Sequence, residues 1–558
     1  MFRHGGGHRL IRERGSGREG DGSAAFSVFP AGAVSRRSET VSATVETDGG
    51  RSKFIFGEKS LRSAGISLSP DSPSATPAML QDRIVDVACA AQHDPELLAA
   101  LGRAMMREGT TDAPPGMGLP AGYTYLLQFI AHDISRSPEE GTATLLTPAL
   151  DLDGILGHPD GSNAPQGPQN GEDWEDYDSG VWLGPVLNID ETFFKDLPRD
   201  AQGKAQIPDR RNDQNLGVAQ IHVLLTRFYH AVLHRLAGCC ATEAKRITRN
   251  HFRWLVLHDV APRIVDPLVW RDVMDNGPAI VPHGPDFLPT VEFTAACFRF
   301  GHSLPRSSYW WGMKDSPFPF NYLLQHTHAD GAGWLLDTNG RKTLHDSALP
   351  NWPNLIFSAE MGGTNETRLI GEDVEEPLRK LERRLFCRNM HDDYPSTTPE
   401  GDDGTTINLG IQTLLWGHHV GLPSGQHLDE VVTLGLAAQD RPLPPPPLSE
   451  GQLLSGLHPE LAGFLIGKGT GFLASAPLWF YVLREAALLG SGLRLGPLGS
   501  RIVMETLHAA AHVGAEDDGF ARDGHIAFAP DPEIAGNGRP LTLSAILLFA
   551  EAHSKIER

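Results

Sequence analysis

Three segments carry the residues with chemistry to offer: Leu126–Ser135 (LLQFIAHDIS), Asp209–Arg227 (DRRNDQNLGVAQIHVLLTR) and Glu292–Ser303 (EFTAACFRFGHS). Gln128 and His132 are four residues apart, which on a helix puts them on one face. Arg299 and His302, three apart, share another. A histidine beside an arginine meets the needs of heterolytic cleavage of a peroxide O–O bond. The imidazole shuttles the proton, and the fixed cation stabilises the departing oxygen. A second histidine on an opposing helix can ligate a haem iron. The spacing points to haem-dependent peroxide chemistry.

A second group of donors lies just downstream. From Thr147 to Asp153 (TPALDLD) every second residue offers an oxygen: the Thr147 hydroxyl, the Ala149 carbonyl and the carboxylates of Asp151 and Asp153. An extended segment would direct these to one side, with Leu150 and Leu152 facing the other. Hard oxygen ligands of this kind suit calcium, and Asp133, directly after His132, can complete the set. An EF-hand is excluded, because the twelfth position counted from Asp151 is Ser162 rather than glutamate.

Helices must position these groups. Val218, Ile221, Leu225, Phe228 and Leu233 form an apolar stripe at helical spacing over Leu216–Leu236. Met79–Leu101 contains at least one amphipathic helix, and Arg246–Val260, Val291–Ser303, Pro477–Leu489 and Ser500–Val513 read the same way. Irregular insertions occupy His158–Asp176 and Asp392–Thr406, and the proline run Pro442–Pro447 reads as surface polyproline II. The pattern predicts a mainly α fold with few short strands. The chemical segments must converge in one core, so residues 76–558 read as a single catalytic domain, although length alone allows several. Residues 1–75, rich in Gly, Ser, Arg and Thr without periodicity, read as a mostly disordered extension.

Composition narrows the partners. A net charge of −21 argues against nucleic acid or an anionic membrane. No stretch approaches the length of a membrane span, and the first thirty residues hold no hydrophobic segment of signal-peptide length. The default expectation is cytoplasmic. Cys89, Cys239, Cys240, Cys297 and Cys387 form no CxxC pair, so neither a disulfide scaffold nor a zinc ligand set is expected. His508 and His512 have metal-ligand spacing, but no third ligand is evident and HExxH is absent, so they read as structural. His222, His230 and His234 do too.

The ordered set LLQFIAHD, DRRNDQNLGVAQIH and FRFGHS resembles the signature segments of the animal-type haem peroxidases (peroxidase–cyclooxygenase superfamily). GLPSGQ at Gly421–Gln426 and the segment Pro477–Val503 resemble its bacterial branch. The resemblance runs from about Pro77 to the end. It implies a helical fold around a central haem b, with His132 as distal histidine, Gln128 beside it on the peroxide side, and Arg211 as distal arginine. His302 takes the place of the proximal iron ligand and Arg299 that of an arginine directed at the haem edge. It also implies a calcium ion held by Asp133, Thr147, Ala149, Asp151 and Asp153. Substrates would be hydrogen peroxide and a small phenolic or halide electron donor.

Departures from the family sharpen these expectations. Ala131 and Gln214 stand where mammalian members carry the acidic residues that form ester links to haem, so the haem should be non-covalent. Thr413 and Trp416 stand where the family has an asparagine bonded to the proximal histidine and an arginine for a haem propionate. The Thr413 hydroxyl can still accept that bond, and the expected result is a working but slow peroxidase. Two rivals remain: a fatty-acid dioxygenase of the same superfamily, or a haem-binding relative with little turnover. The dioxygenases carry a radical-forming tyrosine three residues before the proximal histidine, where this chain has Arg299.

Overall fold

Short polar side chains set where several of the main helices begin. In the computed structural model Asp94 caps α1 (Pro95–Ala104) by accepting the Glu96 N–H at 2.8 Å. Helix α2 (Gly122–Asp133) starts at Ala121 without a side-chain cap. Asn215 caps α3 (Leu216–Arg235) by accepting the Val218 N–H at 3.0 Å. Then come α4 (Ala241–Leu255) and α5 (Leu409–His419), the latter capped by Asn408, which accepts the Ile411 N–H. Helices α6 (Leu478–Leu489), α7 (Pro497–His512) and α8 (Leu543–His553) complete the set that frames the site. Each cap satisfies a donor that the helix itself leaves orphaned.

The structure describes residues 44–48, 51–55 and most of 82–553. The longest stretches outside the description are 1–43, 56–81, 136–146, 158–194 and 383–405, so the insertion His158–Asp176 and nearly all of Asp392–Thr406 fall there. The chain divides into two compact units, Met1–Ser72 and Pro73–Arg558. In the first, the described residues form an antiparallel hairpin of β1 (Thr44–Asp48) and β2 (Arg51–Ile55). The second unit is mainly α, and its described strands are only two or three residues long.

One continuous apolar core joins α1 to α8. Helix α3 lies at its centre, packed by α2, α4 and α8, and every residue from Leu216 to Leu233 is buried. The sequence pattern predicted a stripe; the structure covers all faces, because three helices surround it. Its polar side chains are then obliged to find partners. The Thr226 hydroxyl donates to the His222 carbonyl at 2.9 Å, and the Gln220 amide to the Lys195 carbonyl at 2.9 Å. Among the described residues α3 is the one helix long and apolar enough to cross a membrane, and its apolar stretch lies inside the protein, with only its last residues, His234 and Arg235, exposed. Gly217 lets α2 and α3 close on each other: a Cβ there would sit 2.3 Å from the Tyr125 ring.

Two expected elements differ in form. The amphipathic helix expected within Met79–Leu101 is α1, which begins only at Pro95, after a short turn at Val87–Cys89. Val291–Ser303 is not one helix. A five-residue helix, Val291–Ala295, breaks at Ala296 (φ −139°) and continues as the 3₁₀ segment Cys297–Ser303. The break matters for the site, because side chains three apart eclipse in a 3₁₀ helix. Arg299 and His302 therefore still share a face.

Candidate active site

His132 sits on the last turn of α2, buried, with its Nδ1 2.8 Å from the Asn212 Oδ1. A carbonyl oxygen can only accept, so Nδ1 carries the proton and Nε2 keeps its lone pair. Asn212 belongs to the 3₁₀ turn Arg210–Asp213 that leads into α3, and its own amide lies 3.3 Å from the His222 Nδ1. Burial holds the pKa of His132 down at about 4; the nearby Arg211 charge lowers it further and Asp209 opposes it. His222 is held at about 4 by the same burial. Both imidazoles are neutral at pH 7.

Gln128, one turn before His132, is clamped at both ends. Its amide donates to the Gln214 Oε1 at 3.2 Å, and its oxygen accepts from the Asn215 Nδ2 at 2.9 Å. Asn215 thus caps α3 and orients Gln128 with one side chain.

Arg211 lies beside His132 but not as the bare cation expected from the sequence. Its Nε and Nη2 donate to Asp209, at 2.9 and 2.6 Å. Nη2 also reaches the carbonyls of His132 and Ser135, and Nη1 the Ser135 hydroxyl. The charge is half of a buried ion pair, and the guanidinium fixes the end of α2. Asp209 is the cause: it stands two residues earlier as the cap of the turn.

On the opposite segment, the His302 Nδ1 lies 3.1 Å from the Thr413 hydroxyl, which itself donates to the Leu409 carbonyl at 2.8 Å within α5. With its own hydrogen spent on Leu409, the hydroxyl can only accept from His302, again leaving Nε2 as the lone-pair nitrogen. Burial, aided by the Arg299 charge, lowers the His302 pKa to about 3. The Trp479 ring meets His302 edge-to-face at 6.1 Å, while its indole N–H donates to the Arg299 carbonyl. Arg299 directs its Nε to the Thr294 carbonyl at 3.0 Å. The Trp416 ring lies against His419, with centroids 5.4 Å apart. Helix α2 packs against Cys297–Ser303, so the two histidine groups occupy neighbouring elements. Among the described residues, neither Nε2 makes a hydrogen bond.

The third group, Asp133, Asp151 and Asp153, is buried, with one carboxylate oxygen of each within 4.8 Å of the others. The extended geometry expected here is not what assembles it. Leu152 adopts a left-handed conformation (φ 58°), and Asp153 opens a short helix, Asp153–Leu156. This kink folds the aspartates back together, with the Thr147 hydroxyl donating to Asp151 and the Thr147 N–H to Asp153. Ala149 is buried between them in the chain. Burial is the main cause that raises all three carboxyl pKa values, reinforced at Asp133 and Asp153 by the neighbouring carboxylates, and Asp153 is pushed up to about 8. Asp153 Oδ1 is buried without a hydrogen bond. Three buried carboxylates and an orphaned oxygen are costly as they stand, and they fit a hard cation.

Sequence reasoning missed Asn212, Asp209 and Trp479. Asp209 alone had a signal, as a capping-type residue before a helical turn.

No family model matches this chain, and no curated protein matches it. Among solved structures it resembles peroxidase A from Dictyostelium discoideum, at 13% identity, with a TM-score of 0.51, over 86% of this chain and 94% of that one. Fatty acid alpha-dioxygenases from Oryza sativa and Arabidopsis thaliana align at 12% and 11% identity, both with a TM-score of 0.46. They cover 83% of this chain in each case, and 76% and 73% of theirs. The chain shares the helical fold of that Dictyostelium peroxidase.

Proposed function

We propose that this chain is a haem-dependent oxidoreductase of the peroxidase type, acting on hydrogen peroxide and a phenolic or halide donor. One observation carries the reading: two neutral imidazoles on neighbouring elements, His132 buried and His302 partly buried, each with Nδ1 held by a side-chain oxygen and Nε2 left to act. That donor set fits haem b. His302 would hold the iron through Nε2, steadied by Thr413, with Arg299 at the haem edge. When bound, haem supplies the two electrons that cleavage of the peroxide O–O bond consumes.

The chain's own residues handle the proton. His132 Nε2 accepts it from one peroxide oxygen and delivers it to the other, which leaves as water. Gln128, fixed by Gln214 and Asn215, keeps a second amide hydrogen for peroxide or an anion. Arg211 holds the carbonyl of His132, and its charge helps keep that imidazole unprotonated. Ala131 and Gln214 offer no carboxylate for an ester, so the haem is removable.

The test is direct. Reconstituted full-length chain should bind one haem b that acid–organic extraction removes, and should oxidise a phenolic dye only with peroxide. Bound haem without peroxide-dependent turnover would reduce the chain to a haem-binding relative. Oxygen uptake with a fatty acid would favour the dioxygenase.

Asp133, Asp151 and Asp153, with Thr147 and the Ala149 carbonyl, form the proposed calcium site. The sign of a mutation reports the ion. Calcium at roughly a hundredfold above its Kd should stabilise the wild type by about 2.7 kcal/mol, and Asp153→Ala should abolish that gain. In chelator the same substitution should be neutral or stabilising, because it removes a buried, repelled carboxyl. Thermal melts with and without calcium decide it; identical shifts in both proteins would make the loop a turn and nothing more.

A further inference from the structure

We propose that His283, His508 and His512 form a binding site for a divalent transition-metal ion of the zinc or copper kind. His508 and His512 are four apart on α7, and their rings stack at 4.1 Å with 23° between planes. The His512 Nδ1 hydrogen is spent on the His508 carbonyl at 2.8 Å, which leaves the lone pair on Nε2. His283 has the same tautomer, fixed by its bond to the Val281 carbonyl at 3.2 Å. Such outer bonds orient imidazole ligands and raise their basicity.

The loop that carries His283 is tied to α7 one turn below His508. Glu505 accepts the N–H groups of both Ile280 and Val281, at 2.7 and 2.8 Å. Glu505, His508 and His512 are spaced three and four apart, so the loop crosses the face that the histidines share. His283 accordingly lies close enough to bear on the protonation of both His508 and His512. His508 Nδ1 is buried with no hydrogen-bond partner, a polar atom that nothing in the fold employs. Burial keeps His508 and His512 neutral, the form that binds metal. The cation nearby, Arg253, is paired with Asp518 at 2.8 Å. His525, exposed on the hairpin that follows α7, also bears on His512 and can supply a fourth nitrogen.

Imidazole nitrogens select zinc and copper over calcium, so this site and the aspartate cluster do not compete for one ion. The aspartates are already drawn together, whereas His283 is exposed at the rim and closes the site by giving up its bond to the Val281 carbonyl and turning about its side-chain torsions. The cost of that rotation is small for a surface side chain.

Full-length chain stripped with chelator, then held in excess calcium, should be titrated with Cu²⁺ and followed by calorimetry and electron paramagnetic resonance. Nitrogen splittings from at least three imidazoles are expected. His512→Ala and His283→Ala should each weaken this one Cu²⁺ by roughly tenfold or more, in line with losses from metal sites. His283 is exposed, so His283→Ala should leave the metal-free melting temperature unchanged, whereas His512→Ala also removes a ring stacked on His508 and is compared with the wild type at matched metal-free stability. Zn²⁺ in large excess should reduce the Cu²⁺ signal, since nitrogen ligands hold copper more tightly than zinc. If the wild type lacks nitrogen-coordinated Cu²⁺ that either substitution weakens, the proposal fails. If His512→Ala weakens binding while His283→Ala binds like the wild type, the three-histidine site is overturned and only a helical pair remains.

Discussion

Replacing His132 by alanine should lower peroxide-dependent turnover of the haem-loaded chain by roughly 10²–10⁴-fold, the usual worth of a positioned proton shuttle. The size of the effect follows from how completely the surroundings prepare this imidazole. Asn212 fixes the tautomer, and the Arg211–Asp209 pair fixes the end of the helix that carries it. Burial then keeps Nε2 unprotonated down to about pH 4. The sign for pH is set by that depressed pKa. The base form prevails above it, so kcat/KM for peroxide should be flat through neutral pH and fall only as pH drops through about 4. His132→Ala should lose that acid limb as well as the rate. Asn212→Ala should fall between the two proteins, because it frees the tautomer but keeps the base. Haem content must be measured alongside, by absorption. A His132→Ala protein with full haem and unimpaired turnover would remove this residue from the mechanism.

The parts of the site readable from the sequence are those that local periodicity dictates. Gln128 and His132 follow the four-residue repeat of α2, and Arg299 and His302 share a face whether their segment is α or 3₁₀. What could not be read depends on tertiary contacts or on unusual backbone. Asn212 looks like any polar residue between two arginines and a helix until the turn Arg210–Asp213 folds under α2. Leu152 carries no hint of a left-handed conformation, since leucine disfavours it, yet that kink gathers the aspartates. Arg211 is legible as a cation near His132, but its neutralising partner Asp209, two residues earlier, reads only as the cap of a helical turn. The pair His508 and His512 looked incomplete for a different reason. Its third member is held by Glu505, which sits more than two hundred residues along the chain from the loop it anchors. The helical fold itself was the easiest part, because apolar spacing repeats through every long helix.

Thr413→Val should cost the second largest loss, roughly 10–100-fold in haem affinity or turnover, the range for removing an outer-shell partner of a metal ligand. Valine keeps the shape of threonine, so packing in the sealed interior of α5 changes little. What disappears is the acceptor for the His302 Nδ1–H, and a buried donor left unpaired costs on the order of 1–3 kcal/mol. The imidazole also becomes a weaker electron donor toward iron, because its hydrogen is no longer drawn away. Thr413→Ser separates the two effects: it trims a methyl group but keeps the hydroxyl, and should restore most of the affinity. The iron–histidine stretching band in resonance Raman spectra supplies a readout that packing alone would not move. It should fall in Thr413→Val and return in Thr413→Ser. The longer carboxamide of Thr413→Asn, combined with Trp416→Arg, should go further and raise haem affinity and turnover together. The hydroxyl it replaces already divides itself between His302 and the Leu409 carbonyl, whereas a carboxamide oxygen has no hydrogen of its own to spend. If Thr413→Val leaves both the band and the affinity unchanged, another group must steady His302, and the bond at 3.1 Å would be incidental to iron binding.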